Sequence, residues 1–511
     1  MNRPTRAETE NTVMPRLHSP FPPQCHPDLA PAAESNLAWA RASGLLTSPA
    51  AVSRFTALQP ALLAAGAYVA VDRDALMLAA DWCSWLFLFD DLHPASERRC
   101  PGRGPGSGSS RPRGILVARS AHTKACASEL SEEHTIVRVL FAGPGQAGHL
   151  FPMIPTAQAL RSAGHDVLFA ALPPVDLLRT AGLPMVEVGD GSTLMEAFRQ
   201  TSDATVYVDE GQSREERLRI AVRGFARHGR TAVPGLLRLA EAWRPDVLVH
   251  DAFHAGAPLV AAALRIPAVV HNFGVISGLA VTGLVAAELA DDYQAHGVTA
   301  PPDRTVLDVV PASLGGDGTG WRVRYVPFNG AGVVPAELAG GGGGERRRVA
   351  VTLGTVLTDL DGVRSIARLI EHAAAVDAEF LLAIGDADLA PLGTLPPNVR
   401  PLPWVPLAQL LDGSDAVVHH GGAGTMMTAA AVGTPQLILP QGADHFDNAA
   451  AAEASGFALR ATADAVDSHL LDALLNDDGL RKAATAMRAE IAALPSPAAL
   501  VPAFEDLAAT R

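Results

Sequence analysis

The stretch from Trp404 to Asn448, WVPLAQLLDGSDAVVHHGGAGTMMTAAAVGTPQLILPQGADHFDN, decides how the second half of the chain folds. Its pattern predicts a short helix, a strand at Ala416–His419, a glycine turn, a helix at Ala423–Val432, another strand and an acidic loop. Glycines let the backbone approach a ligand closely, and the N–H groups at a helix start, together with the helix dipole, favour a bound phosphate. A diphosphate is therefore the predicted ligand, although a glycine turn that serves packing alone has the same pattern.

A known family has this arrangement of residues. The turn His420–Thr425, preceded by Trp404-Val405-Pro406 and followed by Pro440 and the run Asp444–Ala449, resembles the donor-binding signature of family 1 glycosyltransferases. It is most similar to the actinobacterial branch that modifies macrolides and other natural products, and the similarity extends over residues 135–505. The resemblance implies the GT-B architecture, an α/β fold in which two Rossmann-like, doubly wound domains face a cleft.

The resemblance also implies a role for each part of the signature. Trp404 would stack on the nucleobase, and the Val405 backbone would bond the edge of that base. His420 and the amides of the turn would hold the diphosphate, with a second phosphate contact from the turn after the first strand of this domain. The sugar hydroxyls would meet an acidic pair. The complete set of expected donor-binding residues is Gly354, Thr355, Trp404, Val405, His420, Gly421, Gly422, Gly424, Thr425, Asp444 and His445.

Two positions depart from the family pattern. Members that use uridine diphosphate sugars usually have a glutamate eight residues after the signature histidine, and this glutamate binds the ribose hydroxyls. This chain has Thr428 at that position. The absence of the glutamate favours a deoxyribose donor, a dTDP-sugar. The usual Asp-Gln pair of the family is Asp444-His445 here, which leaves the identity of the sugar open.

From Thr135 onward, strands and helices alternate in a way that predicts a doubly wound parallel sheet. An apolar strand at Ile136–Ala142 leads into the turn Gly143–His149 and then into a helix. The glycines of this turn spell G-x-G-x-x-G, which is weak evidence for a dinucleotide site because Asp166 stands at the start of the second strand rather than at its end. The run His149–Pro152 fits the glycosyltransferase resemblance better.

By the same resemblance, His149 is the general base. An acceptor hydroxyl has a pKa far above 7, so its attack is helped by a group with a pKa near neutrality. Asp251 follows the predicted strand Asp246–His250 and matches the position of the acid that steadies the imidazolium. Parallel sheets place ligands at the C-terminal ends of their strands. Two plainer roles stay open: a helix-entry residue for His149, and an N-cap of a helix near Ala255 for Asp251.

The bulk composition is that of a globular protein. Of 511 residues, 48% are hydrophobic and 18% are charged, and the formal net charge is −14. Nucleic acids and anionic membranes bind concentrated positive charge, so both are disfavoured as partners. The longest uncharged apolar run, Gly274–Ala287, is shorter than the roughly 20 residues that a bilayer requires. The N-terminus lacks the apolar core of a secretion signal, and we expect a cytoplasmic enzyme.

No motif in the sequence predicts a metal site. His250 and His254 are better explained by a capped, solvated turn than by a metal pair, and Asp386-Ala387-Asp388 resembles the D-x-D of another glycosyltransferase class but is a string that also arises by chance. The cysteines match the spacing of neither a zinc site nor a disulfide scaffold; they are Cys25, Cys83, Cys100 and Cys126. We expect no metal and no cofactor, the nucleotide sugar being a co-substrate.

Residues 14–92 do not belong to the transferase pattern. Helices predicted between Pro31 and Phe89, followed by Asp90-Asp91, resemble the opening of bacterial class I terpene cyclases, in which an aspartate-rich motif binds magnesium. The motif is incomplete here, because no third carboxylate follows at the required place. We interpret 14–92 as a short all-α fragment, left by the fusion of a truncated gene, and 93–134 as a disordered linker rich in Arg, Gly, Pro and Ser.

The predicted organisation is an acceptor-binding Rossmann-like domain at 135–338 and a nucleotide-sugar-binding one at 345–511. The acceptor pocket is expected among 191–233 and 274–330, which show no regular pattern, although the apolar run Val275–Ala287 suits a core helix equally well.

The predicted function is inverting, metal-independent transfer of a sugar, from a dTDP-sugar by preference, to a hydroxyl of a hydrophobic natural product such as a macrolide or polyketide. Two alternatives are kept: a non-catalytic sugar-nucleotide-binding or auxiliary protein of a biosynthetic cluster and, more remotely, a terpene cyclase. The expected partners are the hydrophobic acceptor and the nucleotide sugar, without nucleic acid or stable membrane insertion, and a homodimer is left open.

Overall fold

The structure is a computed structural model that describes residues 29–42, 136–201, 212–338, 346–354, 363–385 and 387–510. The chain divides into two compact units, residues 1–119 and residues 120–511. The described residues of the first unit form helix α1, Leu29–Ala42, which overlaps the first helix predicted for the N-terminal fragment. The rest of that fragment, with Asp90 and Asp91, and the linker lie outside the described residues.

A seven-stranded parallel sheet forms the centre of the first α/β domain. Its strands are β1 Arg138–Gly143, β2 Asp166–Ala171, β3 Met185–Glu187, β4 Val247–Asp251, β5 Ala268–Asn272, β6 Arg304–Asp308 and β7 Trp321–Arg322. Their spatial order is β3-β2-β1-β4-β5-β6-β7. Phe141 pairs with Phe169 on one side and with Val249 on the other, and all five residues of β4 and of β5 are buried. Strands covered on both faces read as continuous apolar runs, which is why the sequence pattern identifies them.

A six-stranded parallel sheet forms the second α/β domain. Its strands are β8 Arg347–Thr352, β9 Ala378–Leu382, β10 Val399–Pro401, β11 Ala416–His419, β12 Gln436–Ile438 and β13 Ala458–Arg460. Their order is β10-β9-β8-β11-β12-β13. Both sheets therefore have the Rossmann order, which reverses between the first and fourth strands of each domain. The predicted GT-B pair of doubly wound domains is confirmed for the part of the chain after residue 135.

Helices cover both sheets. Those of the first domain are α2 Ala147–Leu150, α3 Ile154–Ser162, α4 Asp176–Arg179, α5 Leu194–Thr201, α6 Arg214–Trp243, α7 Gly256–Leu264, α8 Gly278–Ala287 and α9 Ala290–Ala295. Those of the second are α10 Ala367–Ala373, α11 Leu407–Asp412, α12 Ala423–Val432, α13 His445–Ala454, α14 Ser468–Asn476, α15 Asp478–Ala493 and α16 Val501–Ala508. No helix within the described ranges is long and apolar enough to cross a membrane.

Residues 191–233 and 274–330, whose sequence pattern is irregular, contain regular structure, including the core helix that was left open for Val275–Ala287. The first range holds α5 and most of the 30-residue α6, and the second holds α8, α9 and two strands. Glycine and proline within α6 weaken its helical pattern, but its glycines stand where the helix meets its neighbours. A Cβ at Gly224 would lie 2.1 Å from Phe198 Cε1, and one at Gly229 would lie 2.8 Å from Ala255 N. The helix breakers in the sequence are sites of close packing.

The C-terminal helices connect the two domains. Glu490 of α15 accepts a 2.6 Å hydrogen bond from the Ser313 hydroxyl, and Phe504 of α16 packs on Trp321 with ring centroids 5.0 Å apart. His165, before β2, lies 3.3 Å from the Glu505 carboxylate. The last helix of the chain therefore packs on the first domain.

The contact between α6 and α7 provides a test of this packing. A Cβ at Gly256 would lie 2.5 Å from the carbonyl oxygen of Gly229, which is backbone and has little room to move. We expect Gly256→Ala to lower the free energy of unfolding by ~1–3 kcal/mol through overpacking. The matched control is Gly283→Ala in α8, where nothing lies within 4 Å of the added methyl; it should stabilise by ~0.5–1 kcal/mol. Equal unfolding midpoints in urea for the two variants would contradict the close approach.

Candidate functional site

A cavity of about 680 Å³ lies between the two α/β domains. On the side of the first domain its lining is largely apolar and aromatic: Phe151, Leu194, Met195, Phe198, Leu218, Ala221, Phe225, Phe253, Phe273, Ile276 and Phe328. On the side of the second domain, apolar residues that include Trp404 and Val405 surround a group of glycines and polar residues: Thr352, Gly354, His420, Gly422, Gly424, Thr425, Asp444 and His445. We call the first side the apolar wall and the second, after this group, the polar wall.

His149 and Asp251 meet at the point where the first sheet reverses its strand order. His149 lies on α2, just after β1, and Asp251 is the last residue of the neighbouring strand β4. The His149 Nδ1 and Asp251 Oδ2 atoms are 3.0 Å apart. Asp251 is fully buried, and its other oxygen accepts a 2.8 Å hydrogen bond from the Phe253 amide. With Nδ1 donating to the carboxylate, the Nε2 atom of His149 keeps its lone pair and can accept a proton.

Two opposing effects set the pKa of His149. Burial lowers it, but the charge of Asp251 and the hydrogen bond to that carboxylate raise it, with a further contribution from the charge of Asp444. The pKa of His149 is raised overall, above its ordinary value of 6.5. A raised pKa in a water-poor site makes the neutral ring a better proton acceptor. Asp444 belongs to the second domain, so its influence also shows that the two domains bring charged groups near each other here.

Three phenylalanine rings surround the His149 ring. The centroid of His149 is 5.0 Å from that of Phe225, 5.8 Å from Phe253 and 4.7 Å from Phe273. The rings meet His149 at tilted or edge-on angles, the arrangement that aromatic pairs favour. They restrict the orientation of the imidazole and exclude water from its faces.

The second sheet offers a glycine-lined histidine at its own reversal point. Gly354 follows β8, and His420 follows the neighbouring strand β11. A Cβ at Gly354 would lie 2.6 Å from His420 Cε1, and a Cβ at Gly422 would lie 2.5 Å from His420 Nε2. Gly354 also has a φ of +70°, which disfavours any side chain. Both glycines are therefore required for the position of the His420 ring.

Helix α12 begins at this turn and supplies donors to the cavity. Gly422 is its N-cap, and the first N–H groups of a helix have no acceptor within the helix. The Gly421 amide donates to His419 Nδ1 at 3.1 Å, and the Thr425 amide donates to the Gly422 carbonyl at 3.1 Å. The amides of Ala423 and Gly424 remain for a ligand, and the Thr425 side chain lines the same wall.

The histidines beside this turn are neutral. Burial, followed by the proximity of His445 and His419, lowers the pKa of His420 well below its ordinary value. Burial also lowers the pKa of His445, whose ring centroid is 4.7 Å from that of His420. A phosphate here would be met by N–H donors and the helix dipole rather than by a fixed positive charge.

His419 is a supporting residue that the sequence analysis overlooked. Its Nε2 lies 2.8 Å from Gln436 Oε1, while its Nδ1 accepts from the Gly421 amide. The Gln436 amide in turn donates to the Met426 carbonyl at 3.1 Å. Burial lowers the pKa of His419 to about 4, so it stays neutral and keeps an acceptor for the turn. The doubled histidine before the glycines was the available signal.

Asp444 and His445 stand at the start of α13, facing the cavity. Asn448 ties this start to the glycine turn: its side-chain amide donates to Asp444 Oδ2 at 2.8 Å and to the Gly421 carbonyl at 2.9 Å. The expected sugar contacts and the expected phosphate turn are thus one connected piece of structure.

The nucleoside end of the predicted site also lines the cavity. Trp404 is 47% exposed and Val405 is buried. A large aromatic ring that remains half exposed in a cavity wall offers a face for stacking. Both residues line the same cavity as the glycine turn.

Thr428 is fully buried and does not itself line the cavity. Its hydroxyl donates to the Gly424 carbonyl at 2.7 Å and accepts from the Asn329 amide at 3.2 Å. The Tyr325 hydroxyl lies 3.3 Å from the same oxygen. Tyr325 and Asn329 are the residues that reach the cavity, and both come from the connection between the domains, which the sequence analysis did not assign to the donor site.

The remaining predicted residues are placed as follows. Asp251 and Gly421 lie behind the cavity wall, and Thr355 lies outside the described residues, as does Asp386 of the D-x-D string. His254 is buried rather than solvated, and its Nδ1 accepts from the Ala257 amide of α7 at 3.1 Å. Among the described residues, no group of three or more His, Cys, Asp or Glu side chains is arranged to hold a metal ion.

Proteins of similar sequence and structure are glycosyltransferases. The chain is 39% identical over 365 residues to the elloramycin glycosyltransferase of Streptomyces olivaceus, a match that covers 71% of this chain and 95% of that protein. The crystal structure of the glycosyltransferase SnogD from Streptomyces nogalater matches with a TM-score of 0.63 at 36% identity, covering 73% of this chain and 100% of that one. The spinosyn rhamnosyltransferase SpnG, complexed with thymidine diphosphate, matches with a TM-score of 0.63 at 31% identity, covering 72% and 100%.

Two family models match the two α/β domains in turn. The model of the N-terminal domain of erythromycin biosynthesis protein CIII-like proteins matches residues 158–354, and that of the C-terminal domain matches residues 367–507. Together with the 39% identical relative and the paired Rossmann sheets, these matches show that the chain belongs to the erythromycin biosynthesis protein CIII-like family and is a GT-B glycosyltransferase.

Proposed function

We propose that this enzyme transfers a sugar from a dTDP-sugar to a hydroxyl of a hydrophobic polyketide-type natural product, with inversion and without a metal ion. The observation that carries the proposal is one cavity with His149, held by the buried Asp251, on its apolar wall and the start of α12 on its polar wall. A proton acceptor on one wall and an anion site on the other suit a reaction in which an acceptor hydroxyl displaces a diphosphate from a sugar bound between them.

The glycosyl transfer requires only the two substrates and the residues named here. The acceptor oxygen forms a bond to the anomeric carbon while its proton passes to His149 Nε2, and the bond from that carbon to the diphosphate oxygen breaks. Asp251 steadies the imidazolium that results. The charge that grows on the leaving diphosphate is met by the Ala423 and Gly424 amides, the helix dipole and a neutral His420. A single in-line displacement inverts the anomeric centre.

The acceptor and donor classes rest on separate supports. The apolar wall of phenylalanines suits a hydrophobic aglycone, and the relatives are named for elloramycin and for spinosyn. For the donor, SpnG binds thymidine diphosphate, and Thr428 with its cover of Tyr325 and Asn329 stands where the family would have a carboxylate for a ribose. The intact base and acid disfavour a non-catalytic auxiliary role.

The N-terminal 134 residues lie outside this function. Both family models begin after residue 157, and the two compact units meet between residues 119 and 120. We infer that the first unit derives from a separate gene and is not carried by the transferase in the cell. Peptide mapping of the native protein should recover peptides from residue 120 onward only; peptides from residues 1–119 joined to the transferase would contradict this inference.

Variants of the base and its acid should alter turnover and leave nucleotide binding intact. With dTDP-glucose and alizarin, a planar dihydroxyanthraquinone, as probes, His149→Ala should lower kcat by about 10²–10⁴-fold. Because Asp251 raises the pKa of His149 against the effect of burial, Asp251→Asn should lower that pKa. Since the neutral ring is the active form, the acid limb of kcat/KM against pH should move to lower pH while the plateau falls. Full activity of His149→Ala would show that the base is misassigned.

Calorimetric titration of the full chain in EDTA tests the donor. We expect dTDP to bind more tightly than UDP by about 5–150-fold, because a ribose 2′-hydroxyl buried without a partner costs ~1–3 kcal/mol. Titration with dUDP separates the sugar from the thymine methyl: affinity near that of dTDP assigns the preference to the deoxyribose. Tighter binding of UDP would remove the deoxyribose argument, and binding that requires added magnesium would contradict the metal-free mechanism.

The matched variants for this titration replace two histidines of the second domain. His420→Ala should lower the affinity for dTDP by about tenfold or more, because it removes a hydrogen-bond donor that is held in the anion site. His469→Ala, an exposed residue of α14, should leave the affinity unchanged.

A further inference from the structure

The first turn of α6 touches the start of α13 across the cavity. Arg214 Nε lies 2.5 Å from Asp447 Oδ1, and the Arg217 guanidinium lies over the Phe446 ring, 4.5 Å from its centroid. We name these four residues the α6–α13 bridge. Arg214, Arg217 and Asp447 also line the cavity.

Local structure holds both sides of the bridge in place. The Ser213 hydroxyl caps α6 by accepting a 3.1 Å hydrogen bond from the Glu216 amide, and Arg217 donates to the Gln212 carbonyl at 2.6 Å. Residues three apart share a face of a helix, so Arg214 and Arg217 point the same way. On the other side, Asn448 fastens the start of α13 to the glycine turn.

The two helices of the bridge carry opposite halves of the active site. α6 also provides Phe225, whose ring lies 5.0 Å from that of His149. α13 begins with His445 directly after Asp444, at the polar wall. We propose that the α6–α13 bridge is a positioning contact, which holds the sugar-binding start of α13 at a fixed place opposite the base. This inference rests on the proposed function, because it assigns the sugar to the polar wall.

The typical free energies of such contacts indicate that the bridge affects the positions of the reacting groups more than the stability of the fold. The Arg214 side chain is 64% exposed, and exposed ion pairs contribute little to folding. The cation–π contact of Arg217 adds a second weak link. Misplacing reacting groups by about 1 Å, however, costs up to roughly 10²-fold in rate. A pair of weak contacts beside the reacting centre can therefore have a large effect on kcat and almost none on the unfolding midpoint.

Hydrogen–deuterium exchange of the full chain tests the contact without an acceptor. With dTDP bound, Arg214→Ala should speed exchange severalfold in the peptide covering α13, and Asp447→Ala should do the same in the peptide covering the first turns of α6. The control is Arg219→Ala, which breaks an ion pair to Glu216 on α6 itself and should leave α13 unchanged. If each variant changes the exchange rate only in the helix that carries the substitution, the bridge does not join the two domains and the proposal is overturned.

Kinetics distinguish positioning from simple support. Release of dTDP from dTDP-glucose, with water or alizarin as the acceptor probe, should show kcat lowered about 3–30-fold in Arg214→Ala and in Asp447→Asn, with KM for the donor nearly unchanged. The double variant should be no slower than the slower single one, and the charge exchange of Arg214→Asp with Asp447→Arg should recover part of kcat. A raised KM at unchanged kcat, or additive losses, would overturn the proposal. Failure of wild-type chain to bind dTDP would count against the proposed function instead.

Discussion

The hydrogen bond between His149 and Asp251 exists because β1 and β4 are neighbours at the point where the first sheet reverses its strand order. Helices that leave the two strands go to opposite faces there, which opens a crevice at the C-terminal edge. The second sheet repeats the arrangement with Gly354 after β8 and His420 after β11. Each domain thus supplies one crevice and one histidine, and the proposed active site consists of the two crevices facing a common cavity. Every other feature of the site depends on this repetition.

The pKa values of the buried histidines shift in opposite directions in the two crevices. His149 is buried beside a carboxylate whose charge and hydrogen bond outweigh the effect of burial, so its pKa rises. Burial dominates for His420, His445 and His419, so their pKa values fall. In the proposed mechanism the same residue type is a proton acceptor on one wall and a neutral ring beside the anion site on the other.

The sequence allowed the parallel sheets to be predicted, and most of the residues expected at the donor site line one cavity, because buried strands, glycine turns and helix starts have local signatures. His149 and Asp251 were identified through the family resemblance, and their hydrogen bond required the strand order, which no local pattern contains. Helix α6 was missed because Gly224 and Gly229 weaken its pattern, although they are required by its neighbours. His419, Tyr325 and Asn329 were missed for a different reason: they act by contacting residues far away in sequence, and their local context is ordinary.

The division of the active site between two domains makes their relative position part of the chemistry. Apolar packing of Phe504 on Trp321 connects the domains through the last helix, whereas the contacts of Arg214 and Arg217 with α13 lie at the cavity itself and are polar and partly exposed. Apolar contacts between packed rings are stable, whereas exposed ion pairs form and break at little cost in free energy. The link through the C-terminal helix is therefore the stronger of the two, and the polar contact at the cavity is the weaker one. A change in the relative position of the two domains would break the polar contact first.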